Sequence, residues 1–198
     1  MEGIIITRAS QPLKHNLQQA IARLLASAFA GDRGMLALLG QDRWDEIRAA
    51  YFHVQLYQPD CVLLACEKDT LQGVLIASTP AASFSFTTAM RQLFTMKRLL
   101  RQHYSRSQEI SNTIAQQIPD TPHLYINQLA VEPSRQGRTI GRRLLAELDT
   151  LAGELPVYVD CETSLAPFYA QAGFSIRAAI TADDLVVMER NGTSIGVL

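Results

Sequence analysis

Residues 124–145 read LYINQLAVEPSRQGRTIGRRLL. They contain an apolar run typical of a strand, then a turn rich in glycine and arginine, then a helical pattern that starts at once. A strand followed directly by a helix places several unpaired backbone N–H groups at the helix N-terminus, where the helix dipole also favours anions. Arg138, Arg142 and Arg143 add full positive charges. The stretch therefore predicts a strand–turn–helix unit that binds a phosphorylated ligand, with a purely structural turn as the alternative.

The composition argues against several classes of protein. Of the 198 residues, 47% are hydrophobic and 19% are charged, which is typical of a globular protein with a substantial core. The 18 basic and 19 acidic residues nearly cancel, so we expect neither nucleic acid nor a membrane as a partner. No apolar run approaches the roughly 20 residues that span a bilayer, and the N-terminus lacks a signal-peptide pattern. The 3 cysteines show no CxxC spacing, so we expect a cytoplasmic protein without a metal site.

Hydrophobic periodicity predicts a mixed α/β fold. The first half of the chain reads as a strand at 4–8, a helix at 12–29, a second helix from Asp42, strands at Cys61–Glu67 and 72–78, and two helices within 83–118. The second half reads as a strand at 123–131, a helix at 139–152, a strand at 156–161, a helix at 165–172, and strands at 174–180 and Leu185–Arg190. Because strands alternate with helices in the second half, we expect a mixed sheet with helices on both faces, in one domain over 1–198.

The strand end and the turn resemble a signature of the GNAT superfamily of N-acetyltransferases. That signature is Q/R-x-x-G-x-G/A, preceded by a phrase of the form L-x-V-x-P. This chain has Leu129-Ala130-Val131-Glu132-Pro133 and then Gln136-Gly137-Arg138-Thr139-Ile140-Gly141. One position departs, because Thr139 stands where the family has a glycine. Thr139 would still supply its main-chain N–H, although its Cβ would lie close to the ligand.

A second match lies downstream, where residues 157–174 read VYVDCETSLAPFYAQAGF. Phe168-Tyr169 and Gly173-Phe174 resemble the family phrase FYxxxGF. Here too one position departs, since Glu162 stands where many members have an asparagine. Two motifs in the family's order imply a GNAT-like acetyltransferase fold, with residues 83–118 as a helical insertion between the third and fourth strands.

The resemblance implies an acetyl-CoA-dependent N-acetyltransferase. Such an enzyme would transfer an acetyl group to a primary amine of a small molecule or peptide by direct attack in a ternary complex. Pantetheine would lie between the strand at 125–131 and the strand at 156–161, and a homodimer through the C-terminal strands is a further expectation. The residues that the resemblance assigns to acetyl-CoA are Leu129, Ala130, Val131, Gln136, Gly137, Arg138, Thr139, Ile140, Gly141, Arg142, Glu162, Phe168 and Tyr169.

Tyr169 is the expected general acid of that reaction. A phenol with a pKa of about 10 keeps its proton at neutral pH and can pass it to the departing thiolate. His123 is a candidate base, because its ordinary pKa suits the task, with a plain surface position as the alternative. Glu67, Asp160 and Glu162 are further candidates, and a chain of water molecules could carry the proton instead. A packed helix would give Tyr169 a structural role instead. The alternative function is a catalytically degenerate acyl-CoA-binding or protein-interaction module on the same fold.

Overall fold

The described residues form a seven-stranded mixed sheet with helices packed on both faces. The computed structural model describes residues 3–33, 35–36, 41–56, 60–79, 86–180 and 184–192. The strands are β1 (Ile5–Arg8), β2 (Cys61–Glu67), β3 (Thr70–Ser78), β4 (Leu124–Val131), β5 (Val157–Glu162), β6 (Ser175–Ile180) and β7 (Leu185–Arg190). The α-helices are α1 (His15–Ala28), α2 (Gln41–Gln55), α3 (Phe86–Leu100), α4 (Tyr104–Ala115), α5 (Ile140–Ala152) and α6 (Ala166–Ala170).

This order of elements confirms the predicted mixed sheet and the helical insertion between the third and fourth strands. The insertion consists of α3 and α4, joined by a 3-10 turn at Arg101–His103. The first part of the predicted insertion, residues 83–85, lies outside the described residues. None of the helices in the described parts of the chain is long and apolar enough to cross a membrane.

The helix of the second motif is shorter than the sequence predicts. Residues 165–172 were expected to be helical, but α6 covers Ala166–Ala170 and follows a 3-10 turn at Thr163–Leu165. Gly173 ends the helix, because its φ of 86° lies in the left-handed region that favours glycine. The amide of Gly173 donates to the carbonyl of Ala170 at 3.0 Å, a bond that closes the last turn tightly.

The sheet separates the two larger of three hydrophobic clusters formed by the described residues. On one face, α5 and α6 cover the inward side chains of β2 to β5 and β7. On the other face, α1 and α2 cover the opposite side chains of β2 and β3, together with Leu100 at the end of α3. The order β1-β2-β3-β4-β5-β7-β6 places β4 and β5 at the centre of the sheet, between these two layers.

The position of α5 depends on a glycine in β3. A Cβ on Gly73 would lie 3.0 Å from Ile140 Cγ2 and 3.3 Å from Leu144 Cδ1, so any larger residue would require α5 or its side chains to shift. Leu144 and Leu148 are fully buried beneath the helix, and each such side chain contributes about 1.5–3 kcal/mol through burial. This packing fixes the N-terminus of α5 at the end of β4.

Candidate active site

A gap opens between β4 and β5 in the middle of the sheet. The two strands run parallel and pair only from Leu124 with Val157 to Ile126 with Val159. Beyond that point β4 keeps β3 as its partner, while β5 keeps β7. Asn127 is an extra residue in the β3–β4 ladder, and such a bulge bends the strand that contains it. The edge of β4 after Ile126 therefore faces a gap, where an extended ligand can pair with its backbone groups.

The side chains of the three predicted contacts on β4 alternate between the two faces of the sheet. Leu129 and Val131 are half-buried and pack against the core beneath α5. Ala130 is buried and belongs to the core beneath α1 and α2. Their side chains thus serve the two cores, and the backbone edge of β4 is what faces the gap.

The turn that follows β4 leaves a row of backbone N–H groups free. Gly137 has a φ of 75° and Thr139 a φ of 67°, both left-handed. No side chain caps α5. In the described structure, the N–H groups of residues 137–142 meet no protein acceptor, and Arg143 is the first to bond back, to the Thr139 carbonyl at 3.0 Å. These groups, the helix dipole and the exposed Arg138 side chain fit a phosphate ligand.

The conformation of Thr139 gives a physical reason for the glycine in the family signature. At φ 67° and ψ −6°, the backbone is left-handed, which a glycine adopts without cost. An L-residue pays about 1–2 kcal/mol there. The Thr139 side chain is exposed and makes no capping hydrogen bond, so its hydroxyl does not offset this cost at the helix end. The departure at Thr139 thus strains the backbone of the turn and leaves its N–H in place.

The polar side chains around the turn have different partners. Gln136 Nε2 donates to the Val131 carbonyl at 3.3 Å and so joins the turn to the end of β4. Arg142 donates to Gln171 Oε1 at 2.8 Å and joins α5 to the segment after α6. Arg143 donates to the Ile4 carbonyl at 2.8 Å, near the start of β1. The expectation that Arg143 adds charge at the turn is therefore not supported by its position.

The two sequence motifs contact each other through Gly141 and Phe168. A Cβ on Gly141 would lie 3.0 Å from Phe168 Cζ and 3.9 Å from Val131 Cγ2. Gly141 thus allows the close packing of α5 against α6. The Phe168 ring in turn lies 5.1 Å from the Tyr169 ring, at an angle of 79°.

Tyr169 lies in the core beneath α5 and α6, close to β5. It is 6% exposed, and its ring packs edge-on against Phe174 at 5.6 Å. Burial raises the pKa of the Tyr169 phenol, and the nearby Cys161 and Asp160 raise it further. The phenol is therefore fully protonated at neutral pH, as a general acid must be, and its ring also contributes to the core.

Tyr125 and Asp160 form a hydrogen-bonded pair where the gap begins. Tyr125 Oη donates to Asp160 Oδ1. Tyr125 pairs with Tyr158, and Asp160 follows two residues on, so both side chains project from the same face of the sheet. Burial raises the pKa of the Asp160 carboxyl, although the hydrogen bond from Tyr125 opposes the shift. Burial and the neighbouring Asp160 also raise the pKa of Tyr125 well above its ordinary value.

The structure does not bring His123 or Glu67 to this part of the gap. His123 precedes β4 at the end where β4 pairs with β5. Its Nδ1 lies 2.7 Å from the Thr121 carbonyl oxygen, and its ring packs edge-to-face against Tyr158 at a centroid distance of 5.2 Å. Glu67 ends β2 and forms an ion pair with Arg135, beside the opposite end of β4. His123 thus lies beside the paired part of β4 and β5, and Glu67 lies at the far end of β4, whereas Asp160 follows the last paired residue of β5.

Glu162 occupies the last position of β5, at the open end of the gap. Its Oε1 accepts a hydrogen bond of 3.1 Å from the backbone N–H of Arg33, in the loop after α1. Its Oε2 accepts a bond of 3.4 Å from the Ser164 hydroxyl. The sequence placed Glu162 among the cofactor contacts, whereas the structure shows its carboxylate bonded to the α1–α2 loop.

This geometry can be compared with known proteins. Residues 101–176 match the family described as acetyltransferase (GNAT) domain, a range that includes β4, the turn, α5 and the second motif. The structure also superposes on a solved structure from Corynebacterium glutamicum, described as histone acetyltransferase HPA2 and related acetyltransferase. The TM-score is 0.68 at 20% identity, over 98% of this chain and 99% of the other. The fold is that of the GNAT acetyltransferases.

Other GNAT structures show the same similarity. The PaiA N-acetyltransferase from Thermoplasma acidophilum, in complex with coenzyme A, gives a TM-score of 0.57 at 11% identity, over 94% of this chain and 99% of that one. An aminoglycoside 6′-acetyltransferase type Ii gives a TM-score of 0.57 at 15% identity, over 96% and 97%. A search of curated proteins found no match. The GNAT resemblance that the two motifs indicated is therefore confirmed, and both motifs lie around one gap in the GNAT sheet.

Proposed function

We propose that this protein is an acetyl-CoA-dependent N-acetyltransferase, which transfers an acetyl group to a primary amine of a small molecule or peptide by direct attack in a ternary complex. The observation that carries this proposal is the gap between β4 and β5, which leads to an uncapped turn with left-handed Gly137 and Thr139. A long ligand with an extended arm and a pyrophosphate fits both features at once. The similarity to a GNAT structure that holds coenzyme A supports the same ligand.

The residues around the gap fit this ligand in two parts. The free N–H groups of 137–142 would bind the pyrophosphate, with Arg138 and Arg142 providing charge and Gln136 holding the turn against β4. The open edge of β4 at 129–131 would pair with the pantetheine amides. Phe168 and Gly141 shape the wall where α5 meets α6. Bound acetyl-CoA supplies an activated thioester.

The chemistry requires one group that holds a proton and one that accepts a proton. Tyr169 would donate its phenol proton to the leaving thiolate, because burial keeps the phenol protonated at neutral pH. Asp160 would take a proton from the substrate ammonium, because burial raises the pKa of this carboxylate and Tyr125 holds it in place. The buried Oε1 of Gln128 has no hydrogen-bond partner among the described residues and lies on the open part of β4, where it can accept an N–H of the substrate.

An amine acceptor is supported by the carboxylate at the gap and by the printed names of the GNAT neighbours. The carboxylate of Asp160 suits a positively charged amine better than a neutral or anionic group. Two of the neighbours are described as an N-acetyltransferase and an aminoglycoside acetyltransferase. These two observations are the reason to screen primary amines as acceptors.

Thermal melts with acetyl-CoA, with CoA and with ATP test the cofactor first. A ligand present at about 100 times its Kd adds roughly 2.7 kcal/mol of stability, which raises the Tm by about 5–10 °C in a chain of this size. We expect this rise with acetyl-CoA and CoA and not with ATP. No rise with either CoA compound would refute the proposed ligand.

A panel of primary amines then tests the reaction, with thiol release as the readout. The panel contains a lysine-containing peptide, a linear polyamine and an aminoglycoside. Turnover with at least one of them supports the transferase. Binding of acetyl-CoA without acetylation of any amine would favour the alternative, a catalytically degenerate acyl-CoA-binding module.

A further inference from the structure

Glu162 connects two elements that are far apart in the sequence. It is the last residue of β5, and its carboxylate oxygen Oε1 accepts the backbone N–H of Arg33 across 129 positions of the chain. Because β5 is paired with β7 up to Glu162 itself, the bond joins Arg33 of the α1–α2 loop to a fixed point of the sheet at the open end of the β4–β5 gap.

The start of this loop has hydrogen bonds of its own. Asp32 accepts the amide of Met35 on its side chain at 2.8 Å and the amide of Leu36 on its carbonyl at 3.0 Å. Met35 and Leu36 are partly buried and pack against the core beneath α1 and α2. The start of the loop therefore has a defined conformation. The bond from Arg33 to Glu162 fixes its position relative to the gap.

Glu162 differs in its hydrogen-bonding chemistry from the asparagine that many GNAT members have at this position. An asparagine offers both a donor and an acceptor, whereas an ionised glutamate only accepts. A glutamate carboxylate therefore cannot donate to the carbonyl groups of a pantetheine arm, and its negative charge disfavours a nearby pyrophosphate. Its acceptor capacity is used instead by the N–H of Arg33 and the hydroxyl of Ser164.

We propose that Glu162 is a positioning residue that fixes the α1–α2 loop against the end of β5 and so shapes the acceptor side of the gap, without contributing to cofactor affinity. This inference rests on the proposed acetyltransferase function. It replaces the expectation that Glu162 contacts acetyl-CoA. It also assigns Arg33, Met35 and Leu36 to the wall that the amine meets.

The test compares Glu162→Ala with Glu162→Gln, and Ser164→Ala serves as the matched control. Glu162→Gln keeps an oxygen that can accept the Arg33 amide, whereas Glu162→Ala removes it. Ser164 donates to Oε2 of the same carboxylate, so Ser164→Ala leaves in place the Oε1 that accepts the Arg33 amide. For each protein we would measure the hydrogen exchange of the Arg33 amide by NMR, the Kd for CoA, and KM and kcat with the best amine of the panel.

We expect Glu162→Ala to speed exchange of the Arg33 amide by about tenfold or more, because the amide loses a bond to a charged acceptor. Glu162→Gln should restore most of the protection, and Ser164→Ala should leave it unchanged. The Kd for CoA should stay within about threefold in all three variants, while the KM for the amine rises about tenfold in Glu162→Ala at a similar kcat.

Two results would overturn the inference. One is unchanged Arg33 exchange in Glu162→Ala, which would mean that the bond does not hold the loop. The other is a loss of CoA affinity of about tenfold or more with the amine KM unchanged, which would make Glu162 a cofactor contact. If the wild-type protein bound no CoA, the proposed function would fail on its own, and the exchange rates would still decide the role of Glu162 in the loop.

Discussion

Thr139→Gly tests whether the turn before α5 carries backbone strain. Thr139 is held at φ 67° and ψ −6°, the left-handed region where a β-branched residue is an outlier. Its side chain is exposed and makes no capping hydrogen bond, so the substitution removes no capping interaction. The variant therefore isolates the conformational energy of one residue at the proposed phosphate site.

The expected stabilisation is the difference between two opposing effects. Relief of the left-handed conformation is worth about 1–2 kcal/mol. The glycine loses about 0.5–1 kcal/mol through the greater freedom of the unfolded chain. The net gain is then about 0.5–1 kcal/mol, which corresponds to a rise in Tm of about 1–4 °C for a chain of this length.

Differential scanning calorimetry would measure this rise, with two control variants. Gly137→Ala introduces strain at the neighbouring left-handed position, where φ is 75° and an added Cβ meets nothing within 4 Å. Its Tm should fall by about as much as that of Thr139→Gly rises, since backbone conformation alone is changed. Thr139→Ala keeps the left-handed strain and should recover less than half of the gain. CoA affinity should be equal to or higher than wild type in Thr139→Gly, because the free N–H groups remain.

A lower Tm in Thr139→Gly would refute this reasoning. It would show that the threonine side chain contributes more than its backbone strain costs. An equal Tm in Thr139→Gly and Thr139→Ala would also contradict it. Removal of the β-branched side chain, and not relief of the left-handed backbone, would then explain the higher Tm.

Three further predictions concern the catalytic groups and the packing of the two motifs. Tyr169→Phe should lower kcat by about 10²–10⁴-fold at nearly unchanged CoA affinity, and a change of less than about threefold would exclude the phenol as the acid. Asp160→Asn should flatten the dependence of the free energy of unfolding on pH. The folded state raises the pKa of Asp160, so the protonated carboxyl contributes stability below about pH 3.8, and this contribution is lost as the pH rises through the folded pKa. Parallel stability curves for the two proteins would argue against a raised pKa. Gly141→Ala should lower the free energy of unfolding in urea by about 1–3 kcal/mol, because the added Cβ would lie 3.0 Å from Phe168 Cζ. The loss should be smaller in a Phe168→Leu background, and an equal loss there would mean that the two residues do not contact each other.

The order of helices and strands could be predicted from the sequence because it depends on local patterns. The hairpin of β2 and β3, the insertion before β4 and the strand–turn–helix at 124–152 all lie where periodicity and turn residues indicated. Helix ends were less well predicted. Pro167 near the start of α6 and the left-handed Gly173 after it restrict this helix to Ala166–Ala170.

The pairing of Tyr125 with Asp160, to which we assign a catalytic role, could not be predicted in the same way, because it depends on how distant segments align. His123 and Asp160 were both reasonable bases in the sequence, and only the parallel register of β4 and β5 places Asp160 against Tyr125 at the start of the gap. The sequence gives no signal for Tyr125, since its partner lies 35 positions away in the chain.

The sequence by itself determined the GNAT-like fold, the strand–turn–helix at 124–152 and the two positions, Thr139 and Glu162, at which this chain departs from the motifs. Only the tertiary structure decided what those departures do. The φ of Thr139 depends on where β4 ends and on how closely α5 packs against Gly73. This φ determines the conformational energy that a residue with a side chain costs at position 139. The role of Glu162 follows from the α1–α2 loop, which folding brings from the other end of the chain to the end of β5.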